Sequence, residues 1–142
     1  MISKDDPNRK ELCNRVIETV KEKDIKFIYL QFTDIHGIIK SFEINSKRIE
    51  DFLEEGENFD GSSITGYGAI EESDKVALPD PSTFYILPWR KEKKVARVIC
   101  DIYKPDGGRY EGDPRYILQK AVKKPKTMDL PFIAPQKWNF LY

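Results

Sequence analysis

Apolar positions along this chain recur first at a helical period and then at a strand period. After Asp6-Pro7, the residues Leu12, Val16, Ile17 and Val20 keep the spacing of one helical face, with Asp6 as a candidate N-cap and Pro7 at the first helical position. This predicts an amphipathic helix over residues 7–23. Residues 25–32 (IKFIYLQF) and 38–44 (IIKSFEI) are strand-like runs, and the intervening Thr33-Asp34-Ile35-His36-Gly37 suits the loop of a β-hairpin. Asn45 or Ser46 can cap a short helix carrying Ile49, Phe52 and Leu53, with Gly56 just past its end. From residue 58 to 74 the periodicity fades and glycines recur, so the stretch reads as a long loop, a feature that usually carries function in a compact domain. Residues 82–89 (STFYILPW) and 94–103 (KVARVICDIY) have strand character, and Pro105-Asp106-Gly107-Gly108 marks a turn. Asp113-Pro114 opens a last helix running through Val122. A hairpin, a helix, more strands and another helix predict an α+β domain with a mixed or antiparallel sheet.

Composition narrows the function classes. The chain has 142 residues, enough for one modest core, and its 24 basic side chains balance 24 acidic ones. That balance gives no electrostatic ground for nucleic acid or an anionic membrane as partner. No apolar run reaches the length of a membrane span, and the charged start MISKDDPNRK is not a secretory signal. Cys13 and Cys100 lack any metal-ligand spacing, which reads as a reduced cytoplasmic protein with a disulfide unsupported. His36 is the only histidine, so a multi-histidine site is excluded; at the hairpin turn it is expected to be exposed.

The candidate chemistry lies in Phe59-Asp60-Gly61-Ser62-Ser63, followed by Ile64-Thr65-Gly66-Tyr67-Gly68-Ala69-Ile70 and Glu71-Glu72-Ser73-Asp74. Asp60 and Ser63 are short polar groups flanking glycine, able to bind a cation or order hydrogen bonds around a small polar ligand. The bland alternative is an Asx- or Ser-stabilised turn with no ligand. Glu71, Glu72 and Asp74 read as solvated or paired acids rather than a metal cluster. The basic run at residues 90–94 reads as a solvated turn beside a strand.

The whole segment resembles the amino-terminal signature of glutamine synthetases, most closely the bacterial and archaeal type I branch. Agreement extends to Phe32-Thr33-Asp34 with Gly37, to Phe52 through Gly56, to Pro79-Asp80-Pro81-Ser82-Thr83 and to Asp113-Pro114-Arg115. It covers roughly residues 10–123, with Ala77 as a departure where a larger apolar residue is usual. The resemblance implies a β-grasp fold over residues 25–123, preceded by the helical segment 1–24. It implies a ring of subunits in which a neighbouring synthetase subunit's barrel completes each active site. There ATP phosphorylates the glutamate side chain and ammonia displaces the phosphate. Asp60 matches the carboxylate that binds ammonium and takes its proton across the interface, a task suited to a buried carboxylate. Ser63 matches a positioning group. Tyr67 falls at an aromatic position near the nucleotide, or equally packs on its own domain.

In that family the metal carboxylates begin in a strand carrying Gly/Ala-Pro-Glu-x-Glu-Phe-Phe, ahead of a long barrel. Neither is present, so the resemblance implies a chain without the catalytic barrel domain and without cofactors of its own. Mg or Mn and ATP then belong to the complete enzyme, and this chain alone is expected to be non-catalytic. Residues 124–142 break the pattern with Pro125, Pro131 and Pro135. Joining each codon's last base to the next two forces glycine at Met128-Asp129 and glutamate at Trp138-Asn139. The permitted codons around them allow Gly-Phe-Thr-Phe-Tyr-Cys-Ala-Pro-Glu-Val-Glu-Phe-Phe. A frameshift near residues 124–125 is therefore expected, and the coding DNA tests it. The competing reading is a stand-alone β-grasp module that docks on full-length synthetase or another partner.

Overall fold

The computed structural model describes residues 4, 6–62, 64, 74–90 and 94–127, with side chains as far as Lys123. The first helix, α1 (Arg9–Glu22), starts two residues later than its proline suggested. Asp6 does not cap the helix end; its carboxylate accepts the Asn8 N–H at 2.9 Å in a preceding turn. Val16 and Val20 are buried, with Cys13 and Ile17 packed beside them. The hairpin forms as β1 (Phe27–Thr33) against β2 (Ile39–Asn45), antiparallel from Phe27 opposite Asn45 to Thr33 opposite Ile39. Asn45 accepts the Lys47 N–H and leads through a 3-10 turn into α2 (Ile49–Glu55), which buries Ile49, Phe52 and Leu53.

Two expectations need correction. The stretch read as one long loop holds β3 (Glu57–Asp60) at its start and the first residue of β4 (Asp74–Pro79) at its end, and these strands pair antiparallel. Residues 82–89 are not one strand: only β5 (Tyr85–Ile86) pairs, between 3-10 turns at Pro81–Thr83 and Pro88–Arg90. Each of those turns opens on a proline, which fixes φ and offers no N–H to a ladder. The strand expected at residues 94–103 is β6 (Val95–Tyr103), and the last helix, α3 (Pro114–Thr127), runs past Val122.

The sheet is mixed, in the order β2-β1-β6-β4-β3, with β5 also on β6. β6 lies parallel to β1 through residues 95–99, and β5 and β4 occupy its other edge. Ile28, Leu30 and Phe32 of β1 share one face with Ala96, Val98, Cys100 and Ile102 of β6, and α1 and α2 cover that face. The opposite face presents Tyr29, Gln31 and Thr33, then Arg97, Ile99 and Asp101, and α3 covers only part of it. The uncovered part is a groove of about 1140 Å³, bordered by Ile39, Trp89, Arg90 and Leu118. Burial pushes the Cys100 thiol far above its usual range and raises that of Cys13, and both are free.

Candidate functional site

Asp60 sits at the last rung of β3, and its position follows from its neighbour. Phe59 turns inward and packs on Phe32 and Phe42, with ring centroids 5.0 and 6.0 Å away. Alternation along a strand then turns Asp60 outward, and it is exposed. Its Oδ1 accepts the Ser62 N–H at 2.8 Å, and Gly61 O accepts the Ile64 N–H at 2.9 Å. An Asx turn is therefore present, and it engages one carboxylate oxygen. A turn of this kind fixes the carboxylate's direction, so it serves a site as readily as it ends a strand. Asp60 is thus exposed at the strand end rather than buried.

Ser63 and Tyr67 lie outside the described residues, as do Glu71 and Glu72. Asp74 is described; it is exposed and stands directly opposite Asp60 in the β3–β4 ladder. Beside it is a residue with no signal in the sequence. Lys75 is only 3% exposed, and its Nζ lies 4.9 Å from the centroid of the Tyr110 ring. His36 is exposed at the hairpin turn, as expected.

The structure joins two sequence stretches that lie far apart, 79–83 and 113–115. Arg115 contacts Asp80, and its Nε lies 3.2 Å from Asp101 Oδ1, a pairing by charge without hydrogen-bond alignment. Arg109 Nη1 is 2.8 Å from Asp101 Oδ2, and its Nη2 is 3.4 Å from Asp113 Oδ2. Asp113 also accepts the Arg115 N–H at 3.0 Å, at the start of α3. Burial pushes its carboxyl up, against the pull of the backbone N–H groups of Ile102 and Arg115. Three carboxylates thus meet two guanidiniums in a buried cluster that ties α3 to the sheet. Hydrogen-bonded pairing on this scale fastens elements and leaves little capacity for a ligand.

Among the described residues no three histidine, cysteine, aspartate or glutamate side chains group as a metal would require. The two carboxylates at Asp60 and Asp74 do not by themselves fit a nucleotide–metal centre. No described helix is long and apolar enough to cross a membrane.

Residues 24–105 match the family described as glutamine synthetase, beta-Grasp domain. The glutamine synthetase of Methanosarcina mazei is 50% identical over 129 residues, covering 89% of this chain and 29% of that protein. That of Thermotoga maritima is 45% identical over 133 residues, 92% of this chain and 30% of the relative. The chain therefore spans under a third of the length of these relatives. Among solved structures, a GmaS/ADP complex superimposes with a TM-score of 0.73 at 25% identity, covering 80% of this chain and 26% of that one. The mixed sheet, its packing helices and the matched span together place the chain in the glutamine synthetase β-grasp domain family.

Proposed function

We propose that the chain supplies the amino-terminal side of an intersubunit active site for ATP-dependent glutamine synthesis, with Asp60 as the carboxylate that binds ammonium and accepts its proton. The carrying observation is Asp60 itself, turned outward at the strand end and aimed by the Ser62 N–H. A carboxylate exposed in the lone chain but covered by a neighbour would hold a small cation strongly, because closing the interface lowers the local dielectric. Ser63 is proposed as a positioning group in the same segment and Tyr67 as a neighbour of the nucleotide. The neighbouring synthetase subunit's barrel would bring ATP, Mg or Mn and the glutamate site, since the described residues of this chain do not fit those ions. The groove is the proposed seat for the barrel half. Its border combines exposed Ile39, Trp89 and Leu118 with Arg90 and Arg97, which suits an apolar surface bearing carboxylates. Residues 124–142 are proposed to be read out of frame, and the coding DNA beyond Lys124 would then encode the metal strand in another frame.

One experiment tests the assignment. Residues 1–123 are joined to the barrel portion of the M. mazei synthetase, and ammonia-dependent glutamine formation is measured beside the 142-residue chain alone. The joined protein should be active and the chain alone inactive. Asp60→Asn, which keeps the shape and the acceptor for Ser62 but removes the charge, should lower kcat/KM for ammonium at least about a hundredfold, while assembly persists. Parental kinetics in Asp60→Asn would remove Asp60 from the site, and turnover by the chain alone would refute its dependence on a barrel.

A further inference from the structure

We infer that Lys75 is a positioning residue for Asp60: its buried ammonium holds closed the last rung of the β3–β4 ladder, where two acidic residues, Asp60 and Asp74, stand opposite each other. The inference rests on the active-site reading of Asp60. β3 is an edge strand joined to β4 by four residue pairs, the last being Asp60 with Asp74. Like charges directly opposite each other weaken a ladder, and the end of a short edge strand is where pairing opens first. Repulsion between the two carboxylates therefore weakens the rung where Asp60 needs a fixed direction.

Lys75 follows Asp74 and stands opposite Phe59, on the other side of the sheet from both carboxylates. Its ammonium donates to the Asp74 carbonyl at 3.3 Å and lies over the Tyr110 ring. That ring is itself fixed. The Tyr110 N–H donates to Ile102 O on β6, and the ring packs so closely on Gly112 that a Cβ there would lie 2.6 Å from it. The cation thus has a definite seat beneath the rung, where solvent screens it little and its field opposes the repulsion above.

Amide hydrogen exchange on the 142-residue chain tests this through Lys75→Met, Asp74→Asn and the double variant. Lys75→Met should speed exchange about tenfold at the Asp60 end of the ladder and leave the amides of β1 unchanged. Adding Asp74→Asn, or raising salt to about 0.5 M, should restore slow exchange, because either relieves the repulsion. No acceleration, or an acceleration that neither change reverses, would overturn the inference, the latter marking a packing role. In the joined synthetase, Lys75→Met should raise the ammonium KM about tenfold with the glutamate KM unchanged. If Asp60→Asn abolishes activity while Lys75→Met leaves the ammonium KM alone, the positioning role fails and the active-site reading stands. If Asp60→Asn has no effect, the active-site reading fails and the positioning role fails with it, whatever the exchange shows of the ladder.

Discussion

Asp34 shows how one side chain shapes the turn that ends β1. It is 2% exposed, and its Oδ1 accepts the N–H groups of His36 and Ile38, both at 2.9 Å, while Lys40 Nζ approaches Oδ2 to 3.5 Å. Burial pushes its carboxyl up, but the N–H groups of Ile38 and His36 and the Lys40 charge outweigh that and hold it below the usual carboxylate range. A lowered folded value means that the contribution of Asp34 to stability is complete above the unfolded value, near pH 4, and is lost as pH falls through the folded one. Asp113, raised by burial, has the opposite sign and favours the fold as it takes up a proton. Asp34→Asn keeps an acceptor for the turn and removes the titration. It should therefore flatten the acid limb of a Tm-against-pH curve, with a smaller loss of Tm near neutral pH than Asp34→Ala. A curve with the parental acid slope would contradict this. The Thr33-to-Gly37 loop was legible because Asp and Gly have few other uses between two apolar runs; Gly37 takes φ 78° there. Lys75 was not legible, since a lysine in a short charged stretch gives no sign that the fold will bury it.

At the scale of elements, legibility tracked how much of an element's order is local. α1, β1 and β6 carry their own apolar period and were recovered with ends shifted by a few residues. β3 has a single apolar residue, Phe59, in Glu-Asn-Phe-Asp, and only pairing with β4 makes it a strand. β4 was hidden for a related reason, because a lysine fills one of its buried positions and Pro79 its last. The Phe59-to-Ser63 motif was legible through resemblance, yet the rung that sets its direction depends on that unseen strand. Gly56 sits where α2 hands over to β3. With φ at 81°, an added Cβ would lie 2.8 Å from Val76 Cγ1 and 2.9 Å from the backbone oxygen of Ala77. The backbone oxygen has no rotamer by which to yield, and the conformation is itself strained for an L side chain. Gly56→Ala should cost about 1–3 kcal/mol in denaturant unfolding, through both terms. A loss under about 0.5 kcal/mol would mean that the α2–β4 packing can open to admit the methyl.

For the whole molecule, the two faces of the sheet are unequal. α1 and α2 close one face over a continuous core, whereas on the other the ion cluster fastens α3 and leaves the groove beside it open. Trp89 is 73% exposed, Ile39 63% and Leu118 50% along that groove. Side chains so exposed contribute little to the fold of the lone chain, and replacing them should cost it less than about 0.5 kcal/mol. If the groove seats the barrel half, the same side chains become an apolar anchor that water must leave, and their loss should weaken assembly. Paired substitution of Ile39→Lys and Trp89→Ser separates the two cases. The Tm of the 142-residue chain should stay within about two degrees of the parent, as expected for a change of that size. The joined synthetase should sediment as smaller species at concentrations where the parent stays assembled, and ammonia-dependent turnover should fall with assembly if, as proposed, Asp60 acts across a closed interface. A joined enzyme that assembles like its parent after both substitutions would show that the barrel docks elsewhere on the domain, whatever the outcome at Asp60.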